Sequence, residues 1–151
     1  MNTKDLVGQV IVEIHFNRDQ LQTSGTIPLE HAQAYLKLSN NVIISYPHHA
    51  EADLKQLDQI PGVATKIFPQ SILKSIFKSS EFASIKHKKI SGIWSGNDDF
   101  EGELCFLELE DDVYLVKGNM SPIGIGGAEL FIFNSFEALK SKFQSSLEKI
   151  Y

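Results

Sequence analysis

Carboxylates and histidines are the side chains in this sequence best equipped for chemistry. Asp98 and Asp99, with Glu101 and Glu103, lie close enough to supply a pair for general acid–base work. Such a pair functions only when one carboxyl is desolvated enough to keep its proton near neutral pH. The run Ser95-Gly-Asn-Asp-Asp-Phe-Glu-Gly-Glu carries too many acids and glycines for that and reads as a solvated loop. His48-His49 with Glu51, together with His15 and His31, offer metal-ligand types. Adjacent histidines do not share one face of a helix or strand, however, and no second spaced cluster accompanies them. Cys105 alternates with Leu107 and Leu109, which places its thiol on an apolar strand face, away from the conditions that activate a nucleophile. Gly124-Ile-Gly-Gly127 is followed by a strand-like run and lacks the Gly-Lys-Ser/Thr ending of a phosphate loop, so it reads as a tight turn. No serine sits in Gly-x-Ser-x-Gly. The expectation is a protein that is not an enzyme and holds neither metal nor cofactor.

Charge says more than motif. The 151 residues carry a formal charge of −5, which argues against general binding to a nucleic-acid backbone. Between Ile90 and Val116 there is no Lys or Arg, while Asp98, Asp99, Glu101, Glu103, Glu108, Glu110, Asp111 and Asp112 all fall there. From Pro61 to Lys89 the sign reverses, with Lys66, Lys74, Lys78, Lys86, Lys88 and Lys89 against Glu81 alone. One reading is two solvated faces of a mixed-sign protein. The sharper one is an acidic surface that steers a cationic partner, anchored by Trp94 and Phe100 beside the acids.

These residues are positioned by an internal duplication. Ala34-Tyr-Leu-Lys-Leu-Ser-Asn-Asn-Val-Ile-Ile matches Cys105-Phe-Leu-Glu-Leu-Glu-Asp-Asp-Val-Tyr-Leu in register, and upstream Ile11-Val-Glu-Ile-His matches Ile90-Ser-Gly-Ile-Trp. Residues 29–38 are rich in helix formers, but Ala32, Ala34, Leu36 and Leu38 alternate with Gln33, Tyr35 and Lys37, which is strand period. Asn40-Asn41 and Asp111-Asp112 supply hairpin turns, because Asn and Asp tolerate positive φ. Val10, Val12, Ile14 and Phe16 predict a first strand with one apolar face.

Further elements follow from local signals. Ala50, Leu54 and Leu57 at helical spacing, stopped by Pro61-Gly62, predict a short helix over 49–59. Pro69 opens a second helix with Ile72, Leu73, Ile76 and Phe77 as its stripe. Residues 128–133 read as a fully buried strand. A last helix is capped by Asn134 with Glu137 completing a capping box, and Phe136, Leu139, Phe143 and Leu147 repeat along one face. The order β-β-β, α-α, β-β-β-β, α predicts a single α+β domain, a mainly antiparallel sheet with helices packed on it. No apolar stretch approaches the roughly 18–20 residues of a membrane span. A lone cysteine and a start without an apolar leader fit the cytoplasm.

The small acidic chain, the lack of catalytic motifs and the run Met120-Ser-Pro-Ile-Gly-Ile-Gly-Gly-Ala-Glu-Leu-Phe-Ile-Phe before a terminal helix resemble bacterial immunity proteins. Among these are the antitoxin partners of contact-dependent growth inhibition systems. The resemblance implies a protein that blocks one cognate toxin. Carboxylates that stand in for substrate phosphates point to a cationic nuclease as that toxin. The partner surface expected here comprises Trp94, Asp98, Asp99, Phe100, Glu101 and Glu103. A small-ligand-binding or regulatory domain is the other reading.

Overall fold

A computed structural model describes residues 1–17, 33–62, 64–69, 82–98, 102–118, 129–143 and 146–151. The first half forms a sheet from β1 (Ile11–Asn17), β2 (Ala34–Leu38), β3 (Ile43–Ser45), β4 (Gln56–Leu57) and β5 (Ala64–Phe68). The second half forms another from β6 (Ile90–Asp98), β7 (Gly102–Leu109), β8 (Val113–Gly118), β9 (Glu129–Phe133) and β10 (Glu148–Lys149). All pairings are antiparallel. The strand orders are β4-β3-β2-β1-β5 and, from the matching end, β9-β8-β7-β6-β10, so the two halves share one topology.

The likeness extends to detail. A 3-10 turn precedes each first strand, at Thr3–Leu6 and Ala83–Ile85. Each first strand bulges at the same point, between Ile11 and Glu13 and between Ile90 and Gly92. The turns use the positive φ that Asn and Asp tolerate, 67° at Asn41 and 62° and 61° at Asp111 and Asp112. The bulge corrects the expected face of β1. It brings Ile11 inward with Ile14 and Phe16 and leaves Val12 37% exposed.

The inner faces of the two sheets pack into one core. Ile11, Ile14, Phe16, Leu36 and Leu38 meet Ile93, Cys105, Leu107, Leu109 and Leu115 there. Ala34, Leu36 and Leu38 are buried as their counterparts Cys105, Leu107 and Leu109 are, which confirms the strand reading of this segment over the helical one. On the outer face of the second sheet, Leu104, Phe106, Tyr114 and Val116 pack against Leu139 and Phe143 of α1 (Phe136–Phe143). The architecture is two face-to-face sheets plus one helix among the described residues, so the expectation of several helices on one sheet is corrected.

Other expectations change for physical reasons. Residues 49–59 form no helix, because their backbone groups are engaged elsewhere. Thr3 N–H donates to Ala52 O at 3.1 Å, Leu54 N–H to Met1 O at 2.8 Å, and Ala50 N–H to Glu103 Oε1 at 3.2 Å. Gln56 and Leu57 then pair with β3. Propensity yields to these tertiary bonds. The helix expected after Pro69 and the glycine loop at 124–127 lie outside the described residues. β9 is an edge strand with half-buried Phe131, Ile132 and Phe133, rather than a fully buried one. β4, β5 and β10 are too short or too weakly alternating to announce themselves.

The terminal helix is capped one residue later than expected. Ser135 Oγ, not Asn134, accepts from Ala138 N–H at 3.1 Å. Asp112, 24 residues earlier in the β7–β8 turn, accepts from Phe136 N–H at 3.0 Å with one carboxylate oxygen. Its other oxygen accepts from the Tyr114 hydroxyl at 3.0 Å. Leu147 joins the same apolar cluster as α1 only after the helix has ended. Because Asp112 satisfies a helix N–H and holds the turn, Asp112→Ala is expected to cost about 1–2 kcal/mol of unfolding free energy. Asp112→Asn, which keeps an acceptor and tolerates positive φ, should retain most of it; urea denaturation of the two variants checks this.

Candidate functional site

β6 and β7 form the longest hairpin, paired from Ile90↔Leu109 to Asp98↔Gly102. Gly102 takes φ 76°, the left-handed conformation that closes a short hairpin loop. Asp98 and Glu103 therefore stand at the tip of a rigid two-stranded arm, with Asp99, Phe100 and Glu101 between them in sequence and outside the described residues. Glu103 points toward the first sheet. Its Oε1 accepts from Ala50 N–H at 3.2 Å and from Ser95 Oγ at 3.3 Å, and its Oε2 lies 3.5 Å from His49 Nδ1. Its side chain stays 39% exposed, so a partner's cation can still reach it.

Trp94 does not join this group. Alternation along β6 sends it, like Asp98, to the face opposite Glu103, where its ring lies 5.3 Å from Phe136 and 6.5 Å from Tyr114. Its indole N–H donates to Glu108 Oε2 at 2.6 Å, and the Lys149 ammonium reaches the same carboxylate at 2.9 Å while lying 5.7 Å from the ring centroid. Trp94 and Glu108 thus fasten β10 to the second sheet. Gly92 makes room for them, since a Cβ there would meet Glu108 Oε2 at 2.5 Å and the Tyr151 carbonyl at 3.0 Å.

The described acids between 98 and 112 do not form one patch. Glu103 and Glu110 are separated by most of β7, on the order of 23 Å at roughly 3.3 Å per residue. The screening length in physiological salt is about 8 Å, so the two ends act independently. At the far end Asp111 pairs with Lys88 at 3.2 Å and Asp112 caps α1, so those charges are partly spent on the fold.

Cys105 is 1% exposed in the core, and burial pushes its thiol far above the usual range, with the Glu103 charge adding to this. His15 contacts Glu13 at 2.8 Å, and this bond, with Lys66 and Lys37 nearby, holds the Glu13 carboxyl below its usual pKa. His48 and His49 are exposed; partial burial, then Lys117 and His49, lower the His48 imidazole. His31 lies outside the described residues. The described residues contain no group of three or more His, Cys, Asp or Glu placed to hold a metal ion.

Two features had no forewarning in the sequence. One is a cleft of about 440 Å³ at the end of the first sheet, lined by Gln33, Ser45, Pro47, His48, Asp53 and Lys55 among others. The other is Tyr46, 1% exposed, whose hydroxyl lies 2.9 Å from Cys105 O and 2.8 Å from Leu115 O and so ties the first sheet to the second. Among the described residues no helix is long and apolar enough to cross a membrane.

Fold and site together define a class: a duplicated antiparallel β-sandwich with a terminal helix and an acidic hairpin tip. No protein-family model, curated protein or solved structure matches the chain.

Proposed function

We propose that this chain is an immunity protein, a cytoplasmic antitoxin that binds one bacterial toxin, a cationic nuclease, and covers its active site. The supporting observation is the β6–β7 arm, which carries Asp98 and Glu103 at its tip, on opposite faces of a ladder paired without a break from Gly92 to Asp98. Carboxylates on a rigid element can occupy positions that substrate phosphates would take, without a large ordering cost on binding. Phe100, between them in sequence, supplies the aromatic anchor of such an interface. Trp94 belongs to the packing beneath α1 and is left out of the surface.

The test is affinity for the cognate toxin. Asp98→Ala, Asp99→Ala, Phe100→Ala, Glu101→Ala and Glu103→Gln are each compared with the native protein, with thermal melts alongside. Loss of a carboxylate that pairs in a desolvated contact should cost roughly 2–5 kcal/mol of binding. Glu103→Gln keeps an acceptor for the Ala50 N–H and should leave the melt nearly unchanged. Five folded variants with native affinity would place the interface elsewhere.

The second reading is a small-ligand-binding domain. The cleft of about 440 Å³ favours it, being within the size range of small-molecule sites. A molecule co-purifying with the protein, and displaced by Ser45→Trp, would move the assignment there.

A further inference from the structure

A second surface lies where the starts of β1 and β6 and the end of β5 come together. The isolated bridge Val10↔Lys89 joins the two sheets there, reinforced by Gly8 N–H to Ile90 O and Ile90 N–H to Gln9 O, each at 2.8 Å. Beside it is a crevice of about 130 Å³ walled by Val10, Ile11, Val12, Phe68 and Pro69 on one side and Lys86 and His87 on the other. A dry apolar cavity of about 150 Å³ takes a benzene-sized group, so this volume suits one side chain rather than a metabolite. Val12, 37% exposed, is among the few large apolar residues left open to solvent.

The rim has the opposite sign to the protein as a whole. Lys88 is matched by Asp111 at 3.2 Å, and Glu110 accepts the backbone N–H of Lys89 at 3.0 Å. Lys86 and Lys89 have no ion-pair partner among the described residues. His87 holds φ 63°, a conformation uncommon for a residue with a Cβ, in the turn that sets Lys86 and His87 on the crevice wall and leads to Lys89 opposite Val10.

We infer that this crevice is a docking site for an acidic polypeptide segment that inserts one aliphatic side chain between Val12 and His87 while its carboxylates meet Lys86 and Lys89. Charge complementarity and the single-residue volume together select that occupant. A nucleic acid would share the charge, but of the two aromatic rings on the walls Phe68 is 3% exposed, which leaves His87 alone where successive bases need several rings to stack on. The surface is separate from the acidic hairpin tip, so it stands or falls without the proposed antitoxin role.

Panning the full-length protein against a random octapeptide library should enrich sequences with acids flanking Leu, Ile or Val. A synthetic peptide of the enriched sequence should bind at least tenfold more weakly to Lys86→Glu and to Val12→Asp. Its affinity should also fall at least fivefold between 50 and 500 mM NaCl. Circular dichroism checks that each variant is folded, and because the two changes are independent, either alone carries the test. Three results would overturn the inference: enrichment without an acidic–aliphatic pattern, a peptide that binds both variants as it binds the native protein, or tighter binding of an oligouridylate than of any peptide.

Discussion

Replacing Tyr46 by phenylalanine should lower the unfolding free energy by about 1–3 kcal/mol, and replacing it by alanine by about 3–5 kcal/mol. The phenol is fully enclosed, and its single proton serves two carbonyls of different strands, Cys105 O and Leu115 O. Phenylalanine keeps the packing and leaves both acceptors without that donor in the core; alanine also opens a ring-sized cavity. Urea denaturation separates the two contributions. Alkaline pH supplies an independent readout. Burial raises the Tyr46 phenol well above its usual value of 10.0, with the neighbouring Cys105 contributing and backbone bonds opposing. A raised pKa stabilises the protonated form, so this contribution is intact below about pH 10 and is lost as pH rises beyond it. The Phe variant should lack that part of the alkaline loss. An identical alkaline profile in both proteins would remove Tyr46 from this role.

Gly96→Ala should destabilise the second sheet by about 1–3 kcal/mol. A Cβ at position 96 would lie 2.7 Å from Phe106 Cε2 and 3.4 Å from Leu147 Cδ2. Phe106 cannot retreat: it is 0% exposed and meets Phe143 edge-on at 5.0 Å. The added methyl therefore pushes directly on the contact between sheet and helix. Gly62 is the control, since nothing lies within 4 Å of a Cβ there, and Gly62→Ala should fall within about 0.5 kcal/mol of native. Thermal melts of both variants decide it, and equal melts would show that the sheet–helix contact tolerates a shift.

The parts of the fold that could be read from sequence are those written in periodicity and turn chemistry. Ala34, Leu36 and Leu38, and Cys105, Leu107 and Leu109, announce two hairpins because alternation and Asn/Asp turns are local properties. The match of Ile11 with Ile90 extends to a shared bulge, a backbone irregularity that composition alone does not reveal. What stayed hidden depends on distant partners. Ala50, Leu54 and Leu57 look helical until Met1, Thr3 and Glu103 claim their backbone groups. Beside the local Ser135 cap, the first N–H of α1 is taken by a residue 24 positions earlier, Asp112, which no local rule connects to it. At the candidate site, alternation along β6 was sufficient to separate Trp94 from Glu103. Clustering in sequence is not clustering in space, because a strand places adjacent residues on opposite faces.

Each sheet is made from one half of the chain, and this bears on how the protein emerges from the ribosome. β1 to β5 are complete in sequence by Phe68, whereas the residues that cover their inner face, Cys105, Leu107, Leu115 and Leu130, come later. At translation rates of roughly 5–20 residues per second, that leaves several seconds in which Ile14, Phe16, Leu36 and Ile44 have no second sheet to pack on. The nascent first half is therefore a natural client for holdase chaperones, and for mispairing with another nascent copy, until its own repeat has been synthesised.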